Sequence, residues 1–446
     1  MNDEFRWNPY ADQPHNVDTR ARRFVRHFRH LAGYLGLLGS NLRFLVPNLL
    51  QYRFHRKLTY AFPARIKDPF AVGITPVPGR EDEIAALLKE LDISSGLVRI
   101  KSWEDEELPA VQRFSQKLQQ QGREVMYALL QRRLDVQDPK RWEDFLRAAF
   151  SLLGKKGIYF EVGHAWNRTK WGVWDYREYL RLAKAAEEAA RDFPIRLVGP
   201  AVIDFEFHCY PPVLRRLDFD VVSSLLYVDR SGPPEAKQFG WNTTRKLALL
   251  RAVVDKCAQE GKPLWITEVN WPLADTGKYS PAAGRPNVSE EEQADYLVRY
   301  YVLCLCSGWV ERIFWWQLVA PGYGLVDSRS QTWRKRPSFF ALKTLKRFCS
   351  HSIYQGRFIH PQLHLFNFCK GREVFCIGWS EGDAVEYTFT QPISAVVSRS
   401  GEKLDVTDRT VRFDGSPRYI IFDVTGSAEA GDSGMDCGDG GGGLDG

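Results

Sequence analysis

From residue 68 onward the chain repeats one unit eight times, a short apolar run of strand-forming residues followed by an amphipathic helical stretch. The runs are FAVGI (70–74), LVRIK (97–101), EVMYALL (124–130), IYFEV (158–162), RLVGP (196–200), DVVSSLL (220–226), LWITE (264–268) and RIFWW (312–316). Runs that lack polar alternation suit strands covered on both faces, the condition of a parallel sheet. The stretches between them keep a three-and-four apolar spacing, as at Ile84, Leu87, Leu88 and Leu91. One opens on the capping box of Ser289 with Glu292. Eight such units predict an α/β fold, a (β/α)8 TIM barrel. The first run is not followed by a glycine-rich phosphate turn, which argues against a doubly wound sheet.

The repeat fills residues 68–348, and the flanks differ in character. Residues 349–424 hold short segments of strand period, such as EVFCIGW and RYIIF, and predict a small antiparallel β-sandwich. This module is expected to support the barrel, with sugar binding near Trp379 as the other role weighed for it. Residues 425–446 are rich in Gly and Asp and bury too little apolar surface to order themselves.

Residues 1–67 carry 12 Lys+Arg against 4 Asp+Glu, whereas the rest of the chain is close to neutral. A body without a basic stripe argues against nucleic acid as a partner. In this N-terminal helical extension Phe24, Phe28, Leu31, Leu35 and Leu38 recur at helical spacing, with Arg22, Arg23, Arg26 and Arg29 interleaved. Such a helix, within residues 19–54, either lies on an anionic membrane surface or packs against the barrel. Asn41, Arg43, Pro47 and Asn48 break the apolar run, so a spanning helix is not expected. The opening MNDEF has no secretory pattern, and the expected location is cytoplasmic, with peripheral attachment to the inner membrane if the helix takes the first of these roles. The eight cysteines are scattered without metal-ligand spacing, so reduced thiols, no metal and no cofactor are expected.

Chemistry concentrates at the ends of the runs, where a barrel of this kind places its reactive groups. In PLWITEVNWPL, a run of strand formers leads into Glu268. After the fifth run, Asp204, Glu206 and His208 would share one face if extended, a spacing that could also suit a divalent metal.

The run ends resemble those of the clan A glycoside hydrolases, over roughly residues 68–424. The resemblance rests on ITEVNWP at run seven, LVRIKSW at run two, DVVSSLLYVD at run six, FWWQL at run eight and the later stretch GLVDSRSQTWRKRPSFFAL. It implies a (β/α)8 barrel acting on an oligosaccharide or polysaccharide, with Glu268 as the nucleophile of a retaining glycosidase or transglycosidase. It further implies Arg99 beside that nucleophile, Tyr227 bonded to it, and Trp315 or Trp316 as the sugar platform. Asn167 and the carboxylates Asp204 and Glu206 complete the expected substrate-binding set.

At run four the pattern departs. In FEVGHAWNRTKWG, His164 and Ala165 stand where the clan has an Asn-Glu pair whose Glu is the general acid/base. Retaining hydrolysis needs two carboxyls about 5–5.5 Å apart. Glu161, His164, and the group of Asp204, Glu206 and His208 are the available replacements. Strand alternation gives Glu161 and Ala165 the same sense, with Glu161 about 13 Å deeper, and turns His164 the other way. Two readings follow: a glycosidase on envelope or lipid-linked glycan with a substituted acid, or an inactive glycan- or partner-binding pseudoenzyme.

Overall fold

The computed structural model describes residues 5–15, 26, 28–228, 231–259, 261–281, 287–406 and 408–423. Phe24, Arg22, Arg23 and the 425–446 tail of the sequence reading lie outside the described residues. Eight parallel strands close into a barrel in chain order: Phe70–Ile74, Ser95–Lys101, Glu124–Leu130, Tyr159–Val162, Arg196–Ile203, Val221–Leu225, Leu264–Val269 and Arg312–Trp315. Helices cover the outside, among them Glu81–Glu90, Tyr176–Ala190, Thr243–Cys257 and Glu290–Leu305, the last opening on the Ser289 and Glu292 capping box. Side-chain alternation divides the apolar residues into two layers. Leu97, Met126, Trp265 and Phe314 fill the barrel, while Val98, Tyr127, Ile266 and Trp315 pack outward against the helices.

Residues 352–422 form a seven-stranded antiparallel sheet with a two-stranded partner, Val385–Thr388 with Thr410–Phe413. The sheet takes its edge strand, Ala64–Ile66, from the chain ahead of the barrel. Trp379 is fully buried there, flat against His364 and Phe366, so its ring is covered rather than offered to a sugar. Its Nε1 donates to Glu235 at 2.9 Å, and Arg299 holds the same carboxylate, which ties the sheet to a barrel loop.

The helix Leu31–Leu58 is apolar on two opposite sides. Gly33, Asn48, Tyr52 and His55 face the barrel, and His55 pairs with Asp255 at 2.7 Å. At Gly33 a side chain would collide with Asp175, so glycine permits the close approach. The far side exposes Leu31, Leu35, Leu38, Leu42, Leu45 and Leu49 to water. No helix among the described residues is long and apolar enough to cross a membrane. The seven described cysteines are free and buried.

Candidate functional site

Glu268 owes its position to an irregularity in strand seven. Trp265 and Ile266 pair in step with strand eight, and the register shifts before Val269. A bulge of this kind re-aims side chains. Thr267 donates to the buried Glu161 inside the barrel at 2.6 Å, and the next residue, Glu268, also turns inward instead of outward. Oε1 of Glu268 accepts the Tyr227 hydroxyl at 2.5 Å, and Oε2 accepts Nη2 of Arg99. Strand six therefore supplies the hydroxyl and strand two the guanidinium, both to one carboxylate that is 6% exposed. Arg99 lies flat on the Trp316 ring, 3.6 Å from its centroid. That ring rests where Gly73 leaves room, since a Cβ there would collide with it.

Strand eight divides the two tryptophans. Trp316 faces the cavity, whereas Trp315 points outward, fully buried and stacked on Trp271 at 6.1 Å. Trp315 therefore drops out of the substrate-binding set, for the plain reason that neighbouring strand residues face opposite ways. Asn167 is also committed elsewhere. Its amide donates to the carbonyl of Ile203 and to Glu206, and its Oδ1 accepts the Ile203 amide, clamping the loops after strands four and five. Asp204 and Glu206 both bind Arg168. The extended arrangement expected for Asp204, Glu206 and His208 does not form, because Phe207–Cys209 turns as a 3-10 helix. Glu206, His208 and Cys209 instead offer ligand atoms within 4.8 Å of one another. Cys209 is buried and its thiol pushed well above its ordinary range by that burial, so this trio is a poor metal ligand set.

Strand four ends at Val162, and Gly163 follows with φ of 75°, a left-handed conformation that glycine adopts without strain. That turn resets the side-chain alternation. His164, expected to point away, swings into the cavity, with Nε2 3.1 Å from Nη2 of Arg99 and 3.5 Å from Oε2 of Glu268. Gln131 fixes its backbone on both sides, accepting from the amide at 2.8 Å and donating to the carbonyl at 3.0 Å. Burial, then the charges of Arg99 and Lys170, hold its imidazole well below the ordinary histidine range. The ring is therefore neutral, and Arg99 donates to Nε2, which leaves the proton on Nδ1. Nδ1 is buried, with no hydrogen-bond partner among the described residues. His164 consequently accepts at the site and has no proton aimed at a leaving group.

Ala165 is fully buried with φ of 41°. Glu161 is 1% exposed and sits beneath Thr267, and burial raises its carboxyl to about 7. It carries a proton over much of the neutral range, and that carboxyl lies inside the barrel on the Thr267 hydroxyl. Of the replacements named from sequence, His164 is brought beside Glu268 as an acceptor, Glu161 lies inside the barrel on Thr267, and Asp204 and Glu206 are paired with Arg168.

One element of the site went unforeseen. Trp7–Asn8 pairs with Gln13–Pro14 to form a hairpin, and Asn8 accepts from the amides of Tyr10 and Ala11 to shape its turn. The hairpin lies over the barrel mouth. Asp12 receives Nη1 of Arg99 through its carboxylate at 2.6 Å and through its carbonyl at 3.0 Å. Gln13 bonds Lys170 and the Pro281 carbonyl. The Asn8-Pro9 dipeptide between two short extended pairs was the available signal. The remaining cavity is about 90 Å³.

No protein-family model matches the chain, and no curated protein sequence does. Among solved structures the chain is similar to a family 39 glycoside hydrolase from Bacteroides cellulosilyticus WH2, with a TM-score of 0.60, 15% identity, and coverage of 80% of this chain and 81% of that one. It is similar to a GH30 endoxylanase from Clostridium papyrosolvens C71 at TM-score 0.53 and 13% identity, covering 81% and 98%. A family 51 alpha-L-arabinofuranosidase from Bifidobacterium longum gives TM-score 0.54 and 13% identity, covering 82% and 99%. At these identities the likeness is one of fold: a (β/α)8 barrel with an appended β-sheet module.

Proposed function

We propose that this protein acts on a glycan through Glu268 as a retaining-type nucleophile, in a site that supplies no general acid of its own. The observation that carries the reading is the double hold on Glu268, by the Tyr227 hydroxyl and the Arg99 guanidinium. These donors fix one carboxylate oxygen each and orient the group for attack on an anomeric carbon. Loss of a general acid costs roughly 10²–10⁴-fold in rate on ordinary glycosides. Substrates with good leaving groups escape that cost. The test is incubation with 2,4-dinitrophenyl glycosides of the common sugars, followed by mass spectrometry of the Glu268 peptide. A covalent glycosyl adduct is expected; its absence across the series, with oligosaccharide binding retained, would favour the non-catalytic binding reading.

The same proposal places the protein peripherally on an anionic membrane, on the cytoplasmic side, with lipid-linked or nascent envelope glycan as the substrate class. Support comes from the outward leucine row at 31, 35, 38, 42, 45 and 49, each residue exposed. Nothing acidic lies within Leu31–Leu58, while Arg43, Arg53, Arg56 and Lys57 do. An apolar face bordered only by cations suits anionic headgroups. It suits a second copy less, because the flanking charges would repel. Co-sedimentation with phosphatidylglycerol vesicles is expected, against none with phosphatidylcholine; a stable dimer in solution with no vesicle binding would replace the membrane with a second copy.

A further inference from the structure

We propose that the hairpin of residues 5–15 is a removable plug over an anion subsite, and that the substrate is a glycosyl phosphate whose phosphate takes the place of the Asp12 carboxylate. The inference rests on the reading of Glu268 as the nucleophile.

The first argument is space. Sites for small ligands measure roughly 300–1,000 Å³. The cavity over Glu268 is about 90 Å³, and Ala11, Asp12 and Gln13 form part of its wall. A sugar ring reaches Glu268 only when the hairpin is withdrawn. The hairpin is built to be withdrawn: each strand is two residues long, and two-stranded ribbons are marginal by themselves. It is held by Phe5 and Trp7 against Trp103, by Tyr10 against Tyr279, and by the polar contacts of Asp12 and Gln13.

The second argument is charge. Both hairpin side chains that reach into the cavity engage cations, Asp12 on Arg99 and Gln13 on Lys170. Arg99 is shared, with Nη2 on the nucleophile and Nη1 on Asp12. The anion held by Nη1 therefore lies within the span of one guanidinium from the attacking carboxylate. Arginine and lysine are the usual partners of phosphate oxygens.

The third argument is the absent acid. Ala165 has no proton to give, the imidazole of His164 presents an acceptor, and Glu161 is sealed below Thr267. A leaving group that departs unprotonated must be stable as an anion. A phosphate ester meets that condition from its monoanion, the form it takes below its second pKa near 6, because the group then leaves as the hydrogen phosphate dianion and not as the strongly basic trianion. In the first step, from the monoanion of the ester, an oxygen of Glu268 bonds to the anomeric carbon, and the bond from that carbon to the phosphate oxygen breaks, its electron pair leaving with the phosphate as the hydrogen phosphate dianion. In the second, water or an acceptor hydroxyl attacks the same carbon and the bond to Glu268 breaks, restoring the carboxylate. The departed phosphate dianion takes the attacker's proton, so the site needs no base either.

The experiment uses the full-length chain, as wild type, as Asp12→Ala, and as Trp7→Ala with Asp12 intact. Inorganic phosphate binding is followed by tryptophan fluorescence, and glycosyl 1-phosphates are compared with 2,4-dinitrophenyl glycosides for labelling of Glu268 and turnover. Phosphate is expected to bind at least tenfold more tightly to both variants than to wild type, and glycosyl 1-phosphates to label Glu268 faster in both. Equal phosphate affinity in all three proteins overturns the plug and its subsite. Labelling by dinitrophenyl glycosides but by no glycosyl phosphate overturns the substrate class and leaves the nucleophile standing. Phosphate binding without labelling by either reagent removes the nucleophile itself.

Discussion

Nε2 of His164 stands 3.5 Å from Oε2 of Glu268, and Nη2 of Arg99 lies beside both atoms. One guanidinium nitrogen thus organises a carboxylate and an imidazole that are brought together from strands seven and four. The imidazole presents an acceptor to Arg99 beside the Glu268 carboxylate, and its proton is directed away from that carboxylate. On the proposed reading of Glu268, this arrangement positions the attacking oxygen and does not protonate a leaving one.

Folding holds His164 neutral, and this predicts a pH dependence. Its folded-state pKa lies well below 6.5, so the unfolded chain takes up the proton first as pH falls. The stability it contributes is complete above about 6.5, the ordinary histidine value, and declines below it. The slope of melting temperature between pH 7.5 and 5 should therefore be shallower in His164→Gln than in wild type. Identical slopes would mean that the ring is not buried as a neutral acceptor.

Glu161 has the opposite sign. Its carboxyl is raised from 4.5 to about 7, so the folded state holds a proton that the unfolded state releases. That contribution is present below about 4.5 and is lost as pH rises through 7. Glu161→Gln keeps an acceptor for Thr267 without a charge to bury. It should be more stable than wild type at pH 8, by an amount on the order of 3 kcal/mol, and nearly equal to it at pH 4.5. Urea denaturation at the two pH values measures the difference; equal stability at pH 8 would contradict it.

The barrel was legible because eight buried strands and their helices write two different periods into the chain. Arg99, Tyr227, Glu268 and Trp316 were legible because each ends a strand at the mouth of that barrel. What sequence could not supply was local backbone that breaks the period of two. Gly163 reverses the sense of His164, and the irregularity at Thr267 and Glu268 turns two consecutive residues inward. Asp12 was hidden for another reason. It lies 87 residues from Arg99 in the chain, and nothing in its four-residue turn encodes that contact.

The outward leucines of Leu31–Leu58 are exposed in the fold. Replacing Leu35, Leu42 and Leu49 together with Glu should abolish co-sedimentation with anionic vesicles and change stability by no more than about 0.5 kcal/mol per site. A large fall in melting temperature would show instead that this face is covered by the protein itself.

The junction of barrel and β-sheet module turns on Glu235. Its carboxylate is buried and accepts from Nε and Nη2 of Arg299 and from Nε1 of Trp379, while Nη1 of Arg299 reaches the Gly415 carbonyl at 3.3 Å. Glu235→Ala strands a buried guanidinium and an indole N–H together. Breaking a buried pair from one side costs about 3–5 kcal/mol. Glu235→Gln keeps an acceptor for both donors and should recover part of that loss. If the module serves as support, Glu235→Ala lowers the midpoint of urea unfolding while labelling of Glu268 per folded molecule stays at the wild-type level, because the pair lies away from the cavity. A fall in labelling without a fall in stability would instead assign the module a part in holding the glycan.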